Sequence, residues 1–413
     1  MNAEIITVGD ELLIGQVVNT NQAFIAEKLN LIGIGVGRMT TVGDDEEAIV
    51  DAIRGAWREG TCCILTGGLG PTHDDITKKA LCRFFSCGLI SSPAVREHVA
   101  ALLARRNLPW TAMAEEQALV PEKAEIIPNP VGTAPGLYFR HDDRHLFVLP
   151  GVPYEMREIM EGSILHMLRP MAGGSAIRHR TLRTTGISES MLAQRLGNIE
   201  ELTGGASLAF LPAPTGVRLR ITAREADDRQ AGRAVEEAER KIRDRAGKYI
   251  YGIEEEELEE VLGRILTERG MRIAVAESCT GGLIANRLTN ISGSSSYFER
   301  GVVTYSNRSK TELLGVPEEL LTAHGAVSRE VATAMAEGVR RIAGTDIGLS
   351  TTGIAGPTGG SAEKPVGLLW TGYADAGGST AVKFQFGDGR LRFKERASQA
   401  ALELVRRRLL QIE

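Results

Sequence analysis

Residues 61–75 read Thr61-Cys62-Cys63-Ile64-Leu65-Thr66-Gly67-Gly68-Leu69-Gly70-Pro71-Thr72-His73-Asp74-Asp75. The run 61–66 predicts a buried strand, the glycines after it a loop, and 76–85 a helix. The same alternation extends upstream. Residues 4–8 predict a strand ending at Gly9, and 21–31 a helix with Phe24, Ile25 and Leu29 on one face and Gly33 as its stop. Residues 34–42 predict a second strand. Asp44-Asp45 then opens a helix carrying Ile49, Ile53 and Trp57 and ending at Gly60. Repeated strand–helix–strand units favour a parallel sheet covered by helices. Ligands in such sheets sit beyond the carboxyl ends of the strands, where this segment concentrates glycines and aspartates.

Downstream, Gly173-Gly174-Ser175 reads as a linker. Residues 177–252 follow an α+β pattern: strand 179–184, helix 189–197, strand 216–223 and a charged helix 228–246. With no catalytic cluster, this module reads as a spacer. Alternation then resumes, with helices at 258–269, 279–288, 329–343 and 392–410 and strands at 271–276, 301–305, 346–352, 366–374 and 381–386. The fold class is therefore α/β: two α/β domains with mainly parallel sheets, joined by a small α+β module. The expected boundaries are 1–170, 175–252 and 255–413.

Composition narrows the function classes. The 413 residues contain 48 Lys plus Arg against 53 Asp plus Glu, a formal charge of −5. Proteins that grip nucleic acid by neutralising phosphates carry a basic excess, so small molecules are the better expectation. Five cysteines, two of them adjacent, lack metal-site spacing and read as buried apolar residues in a reducing compartment. No run approaches 18 apolar residues and no leader pattern opens the chain, which predicts a soluble, cytoplasmic protein without membrane contact. Glycine is in excess, at 47 residues.

Three N-terminal loops could build one site for an anionic ligand: Val8 to Gln16 (with Asp10, Glu11 and Gly15), Val42 to Asp45, and Thr66 to Asp75. Glycines let backbone N–H groups approach phosphates, and the following helix starts add positive potential. Carboxylates beside phosphate call for a bridging divalent cation. Helix capping is the alternative role for each aspartate.

In the C-terminal part, Ala276-Glu277-Ser278-Cys279-Thr280-Gly281-Gly282 places hydroxyls, a thiol and glycines where a strand meets a helix. Ser278 is either a nucleophile or an N-cap. Lys310, downstream of Thr304-Tyr305-Ser306-Asn307, is the simplest base for it if desolvated. His324 with an unmarked acid is the alternative, and Cys279 is the rival nucleophile. The loop 350–360, holding Gly353 and Gly356, could cradle a phosphate through backbone donors. Arg390 could clamp a phosphate or carboxylate.

These motifs carry two resemblances. Thr66-Gly67-Gly68-Leu69-Gly70-Pro71 with Asp75 resembles the MoaB/MogA molybdopterin-binding fold. The longer Gly-Gly-Leu-Gly-Pro-Thr-His-Asp-Asp, with Gly-Asp-Glu-Leu-Leu-Ile-Gly-Gln and the segments 128–136 and 149–156, is closer to the CinA (competence/damage-inducible) family. There the resemblance implies ADP-ribose pyrophosphatase activity with a divalent cation of unspecified identity, K+ being a further candidate ion. It implies a phosphate cradle of Gly67, Gly68, Gly70 and Thr72. Asp45 and Asp75 match the acidic positions, with Asp10, Asp44 and Asp74 as further metal candidates.

Ala-Glu-Ser-Cys-Thr-Gly-Gly, Ile291 to Ser295, Phe298 to Gly301, Thr-Tyr-Ser-Asn and Gly-Ile-Ala-Gly-Pro resemble the nicotinamide-nucleotide amidase family, which is also the C-terminal domain of CinA proteins. That implies deamidation of nicotinamide mononucleotide without a cofactor. Ser278 would be the nucleophile, Lys310 its base and Tyr305 a partner in the dyad. Arg390, Thr280, Gly281, Gly282, Gly353 and Gly356 would contact substrate. The family reads Gly-Asp-Arg where this chain has Gly387-Asp388-Gly389-Arg390, so Arg392 is an alternative to Arg390. The resemblance also implies a homodimer.

Overall fold

The computed structural model describes residues 2–58, 61–72, 75–172, 176–387 and 389–412. Gly60, His73, Asp74, the expected linker 173–175 and Asp388 lie outside the described residues. The chain forms two compact units, Met1–Arg178 with Ala223–Gly232, and His179–Thr222 with Arg233–Glu413.

The first unit is built on a six-stranded sheet. Its strands are β1 (Asn2–Val8), β2 (Gly35–Val42), β3 (Thr61–Thr66), β4 (Glu125–Ile127), β5 (Gly136–His141) and β6 (Arg144–Leu149), in the order β2-β1-β3-β6-β5-β4. The pairs β1–β2, β1–β3 and β3–β6 are parallel; β5 is antiparallel to both β6 and β4. The central strands are buried on both faces, so they read as unbroken apolar runs. Ile5, Cys62 and Ile64 face one apolar cluster, and Ile6, Cys63 and Leu65 the other. The adjacent cysteines thus lie on opposite faces of one strand, as the period of two requires. Both are buried, and burial drives the Cys62 thiol up to about 12. Helices α1 (Thr20–Leu31), α2 (Glu46–Ala56) and α3 (Thr77–Phe85) follow β1, β2 and β3.

In the second unit, β7 (Ala176–Thr184), β8 (Ser207–Ala213), β9 (Gly216–Glu225) and β10 (Ile250–Ile253) form a four-stranded sheet in the order β8-β9-β7-β10. A second sheet contains β11 (Ile273–Glu277), β12 (Phe298–Val303), β13 (Ile347–Gly353), β14 (Leu368–Asp375) and β15 (Gly378–Gln385), in the order β12-β11-β13-β14-β15. Here β12, β11 and β13 run parallel, while β14 and β15 form an antiparallel edge. The two sheets belong to one compact unit rather than to separate bodies. Buried Arg183 of β7 donates to the Glu254 carbonyl and to the carboxylates of Glu255 and Glu257, all within 2.8 Å. Arg406 of the C-terminal helix, itself buried against Glu403, donates to the Lys248 carbonyl at 2.8 Å.

Helix α4 (Leu283–Thr289) starts four residues later than the expected start at 279, because Gly281 and Gly282 turn left-handed at φ 61° and 94°. Helix α5 (Asn307–Leu314) was not anticipated, whereas α6 (Arg329–Ala343) coincides with the expected element. Helix α7 (Arg390–Leu410) begins two residues before the expected 392, with Gly389 as its N-cap. Among the described residues no helix is long and apolar enough to cross a membrane.

Candidate active sites

In each main sheet the chain leaves the central strand for one neighbour and later returns to the other side. That is the crevice where open α/β sheets bind ligands. In the second unit the crevice lies beyond β11. The Ser278 amide donates to the Thr351 carbonyl at 3.0 Å, and the Thr304 amide to the Glu277 carbonyl at 2.8 Å, so the segment after β11 is pinned from both sides. Ser278 Oγ lies 3.1 Å from Lys310 Nζ on α5, whose side chain is 1% exposed. The same nitrogen donates to the carbonyls of Thr304 (2.8 Å) and Tyr305 (3.3 Å). Burial lowers the Lys310 pKa below its ordinary value, with Cys279 opposing. In the neutral amine both N–H groups are taken by the two carbonyls, which leaves the lone pair facing the serine hydroxyl. The arrangement suits proton abstraction from Oγ.

Glu277, 1% exposed, precedes the serine, and its carboxylate accepts from the amides of Gly282 (3.0 Å), Ile284 (3.1 Å) and Ala285 (2.8 Å). It occupies the start of α4, where an anion is favoured by the orphan amides and the helix dipole. The Gly282 amide is therefore not available to substrate, contrary to the sequence expectation. The amides of Thr280 and Gly281 find no acceptor among the described residues and remain as donors for a developing oxyanion. The Thr280 side chain is fully buried against the Thr351 hydroxyl at 2.8 Å, so only its backbone can serve a ligand. Cys279 is buried, and loss of water drives its thiol up to about 12, which removes the thiolate a rival nucleophile would need. His324 is half exposed beside Glu330, at 3.8 Å.

Tyr305 meets Lys310 through its carbonyl and not its side chain. The side chain is 62% exposed, and its hydroxyl accepts from Arg390 Nη2 at 3.0 Å. Arg390 Nη1 donates to the Gly356 carbonyl at 3.1 Å, so one guanidinium ties the residues before α5, the Gly353–Gly356 loop and the start of α7 together. Arg390, rather than Arg392, makes this bridge despite the extra Gly389. At Gly353 an added Cβ would strike the Leu368 carbonyl, the Phe393 ring and Cys279 Sγ, so this glycine serves close packing. Lys394, which sequence reasoning missed, brings its amine near Gly281: a side chain there would meet Nζ at 3.5 Å.

In the first unit the crevice lies beyond β1 and β3. Gly67 is left-handed at φ 116°, and a Cβ there would strike the Val8 carbonyl; at Gly68 (φ 65°) it would strike the Thr77 hydroxyl. The aspartates serve local bonds. Asp10 and Asp44 exchange backbone-to-carboxylate hydrogen bonds at 3.0 and 3.2 Å. Asp45 N-caps α2 through the Ala48 amide at 2.8 Å, and Asp75 accepts from both the amide and the hydroxyl of Thr72. A Cβ at Gly70 would also strike Asp75. Among the described residues no three His, Cys, Asp or Glu side chains gather to hold a metal ion. Of the expected metal set, Asp10 and Asp44 each accept from the other's amide, Asp45 caps α2, and Asp75 is held by Thr72; Asp74 lies outside the described residues.

Asn21, Asn129 and Glu155 were missed as organisers. Asn21 Nδ2 donates to the Gly151 carbonyl (2.7 Å), and buried Asn129 Nδ2 to Glu155 (2.7 Å) and the Ala134 carbonyl (2.7 Å), so motifs 128–136 and 149–156 lock together. Lys78, 7% exposed on α3, lies 3.5 and 3.4 Å from the carbonyls of Glu116 and Gln117. Burial lowers its pKa from 10.5 to about 8, with Glu116 and Asp75 opposing. Between these values the unfolded chain holds more protons, so stability rises with pH through that window and carries the whole penalty below about 8. Lys78→Met should therefore stabilise the first unit at pH 7 by about 3 kcal/mol, with little gain above pH 10.5. Urea unfolding at the two pH values checks it; equal gains at both would refute the desolvation account.

Family models match nearly the whole chain: the probable molybdopterin binding domain at residues 4–170, the damage-inducible protein CinA KH domain at 179–252, and the CinA C-terminal domain at 255–409. A CinA-like protein of Salinibacter ruber is 47% identical over 411 residues, covering 99% of this chain and 100% of its own. The chain belongs to the CinA family. A second CinA-like protein, from Chloroherpeton thalassium, is 45% identical over 415 residues, covering 98% of this chain and 99% of its own. A crystal structure of a competence/damage inducible protein from Agrobacterium tumefaciens is 44% identical, covers 37% of this chain and 96% of its own, and has a TM-score of 0.36. The middle segment, read as a spacer from sequence, carries the family's KH domain. Its residues 179–252 contain no Gly-x-x-Gly, the element by which KH domains clamp a nucleic-acid backbone, and so gave no signal to read.

Proposed function

We propose that this CinA-family chain is a two-site hydrolase of pyridine nucleotides. The second unit would deamidate nicotinamide mononucleotide to nicotinate mononucleotide and ammonia, and the first unit would hydrolyse the pyrophosphate of ADP-ribose with a divalent cation. The observation that carries the amidase reading is the 3.1 Å approach of Lys310 Nζ, buried and flanked by two carbonyls, to Ser278 Oγ.

Ser278 Oγ forms a bond to the carboxamide carbon while its proton passes to Lys310. The negative charge gathers on the amide oxygen, facing the Thr280 and Gly281 amides. The C–N bond breaks, and Lys310 returns the proton to the departing ammonia. Water then adds to the acyl carbon, giving its proton to Lys310, and Ser278 leaves with that proton. Arg390 and Lys394 supply positive charge for the nucleotide phosphate. In the first unit the carboxylates of Asp10, Asp44, Asp45 and Asp75 are engaged in local bonds. That observation favours a second reading in which only the serine site turns over.

The purified chain with each nucleotide, in EDTA and then in excess MgCl2, separates these readings. Ammonia should appear from nicotinamide mononucleotide in both conditions, and AMP with ribose 5-phosphate from ADP-ribose only with the metal. Absence of ammonia overturns the amidase assignment, and absence of AMP leaves the single-site reading.

A further inference from the structure

The structure divides the five cysteines, all of them free thiols. Cys62, Cys63 and Cys279 are buried, as the sequence predicts, whereas Cys82 and Cys87 are partly exposed. Both belong to the C-terminal end of α3. Ser86 turns left-handed at φ 51°, the Cys87 amide donates back to the Cys82 carbonyl at 3.0 Å, and the Ser86 amide to the Arg83 carbonyl at 3.4 Å. This crossed pair of bonds is the Schellman ending, in which the side chains at its two ends meet across the turn. Here both are thiols, and they hydrogen-bond to each other.

The backbone bond also bounds their separation. The Cα-to-O span of Cys82, the 3.0 Å bond and the N–Cα bond of Cys87 together keep the two Cα atoms within about 7 Å, the limit for a disulfide. The contact between the thiols meets the second requirement, that the Cβ atoms lean toward one another.

We propose that Cys82 and Cys87 are a dithiol–disulfide modification site, oxidised by exchange with a low-molecular-weight disulfide. The Cys87 thiolate attacks one sulfur of the reagent, whose S–S bond breaks and releases one thiol. Cys82 then attacks the Cys87 sulfur of the mixed disulfide, and its proton passes to the second departing thiolate. One S–S bond replaces another, and both halves of the reagent leave as thiols. Cys82 is the second to attack, because burial and the adjacent Cys87 push its pKa up to about 11 and keep it protonated until the mixed disulfide is in contact. At its other end α3 seats the first-unit glycine loop, where Thr77 Oγ1 donates to the Gly67 carbonyl at 3.0 Å. The bridge therefore clamps the helix on which that loop rests. The inference rests on neither proposed activity.

The test treats the native chain with oxidised glutathione, blocks the remaining thiols with N-ethylmaleimide and digests with trypsin. Cleavage after Lys79, Arg83 and Arg96 puts the two cysteines on separate peptides, Ala80–Arg83 and Phe84–Arg96. These should appear as one mass that divides on reduction, formed at least about tenfold faster than any adduct at Cys62, Cys63 or Cys279. Cys82→Ser should instead retain one glutathione on Cys87, because the second displacement is lost. Hydrogen exchange at residues 86–88 should slow at least about threefold on oxidation. A stable glutathione adduct on Cys87 of the unaltered chain, or thiols that react only after unfolding in urea, overturns the site. Unchanged exchange at 86–88 in the bridged chain overturns the clamp.

Discussion

Ser278→Ala is expected to cut ammonia release from nicotinamide mononucleotide about 10³–10⁴-fold while leaving ADP-ribose hydrolysis within about twofold. Three decades correspond to about 4 kcal/mol of transition-state stabilisation. The loss is large because the variant removes the atom that forms the covalent bond, whereas the Thr280 and Gly281 amides survive and retain only their own share. Among the described residues the Ser278 side chain bonds to Lys310 alone, and its amide bond to Thr351 persists in alanine, so the fold should be unchanged. The parallel variant Cys279→Ala separates the rivals. With its thiol held near 12 by burial, it should keep ammonia release within about threefold. Steady-state assay of both variants by ammonia detection is the measurement; the reverse ranking would sink the serine assignment.

Lys310→Met should lower the same rate about 10²–10⁴-fold, with circular dichroism unchanged. Methionine fills the buried channel yet can neither accept the serine proton nor return it to ammonia. The pH profile supplies the sharper test. Protonated Lys310 has no lone pair for Oγ, so wild-type kcat/KM must rise with pH as the ammonium deprotonates. Burial moves that rise below the ordinary lysine pKa of 10.5. In Lys310→Met the limb should vanish, leaving a flat, low rate. A limb that persists unchanged would show that some other group titrates. The same depression means the folded chain disfavours the charged amine, so wild-type stability should climb with pH toward 10.5 and the variant should lose that slope.

Much of this site could be read from sequence, and what could not has physical causes. Ser278 and Lys310 stand in motifs, but their meeting depends on α5, a helix of eight mostly polar residues. Its start was marked by Ser306, whose hydroxyl accepts the Ser309 amide at 3.1 Å, though eight residues are too few for periodicity to speak clearly. Glu277 escaped notice because it caps from inside a strand, five to eight residues ahead of the amides it accepts, whereas the familiar capping pattern lies adjacent to the helix. Tyr305 was placed in the dyad by motif, but its neighbour in space is Arg390, 85 residues away. Asp45 as a cap was legible from the position of its helix, while the Asp10–Asp44 exchange depends on two loops meeting across the ends of β1 and β2. The strands were the easiest elements, since runs buried on both faces announce themselves by composition alone.

The carboxylate of Glu277 also bears on inhibitor chemistry. Many α/β folds leave the first turn after the central strand open to an anion, and there a phosphate or carboxylate warhead gains from the dipole. Here the chain's own side chain has filled that position with a full negative charge, buried at 1% exposure. A compound carrying a second anion to the same turn would meet repulsion in place of the dipole's attraction. Electrophiles directed at Ser278 should therefore arrive uncharged and develop their charge only on bonding, toward Thr280 and Gly281, with any permanent anion held at the Arg390 end.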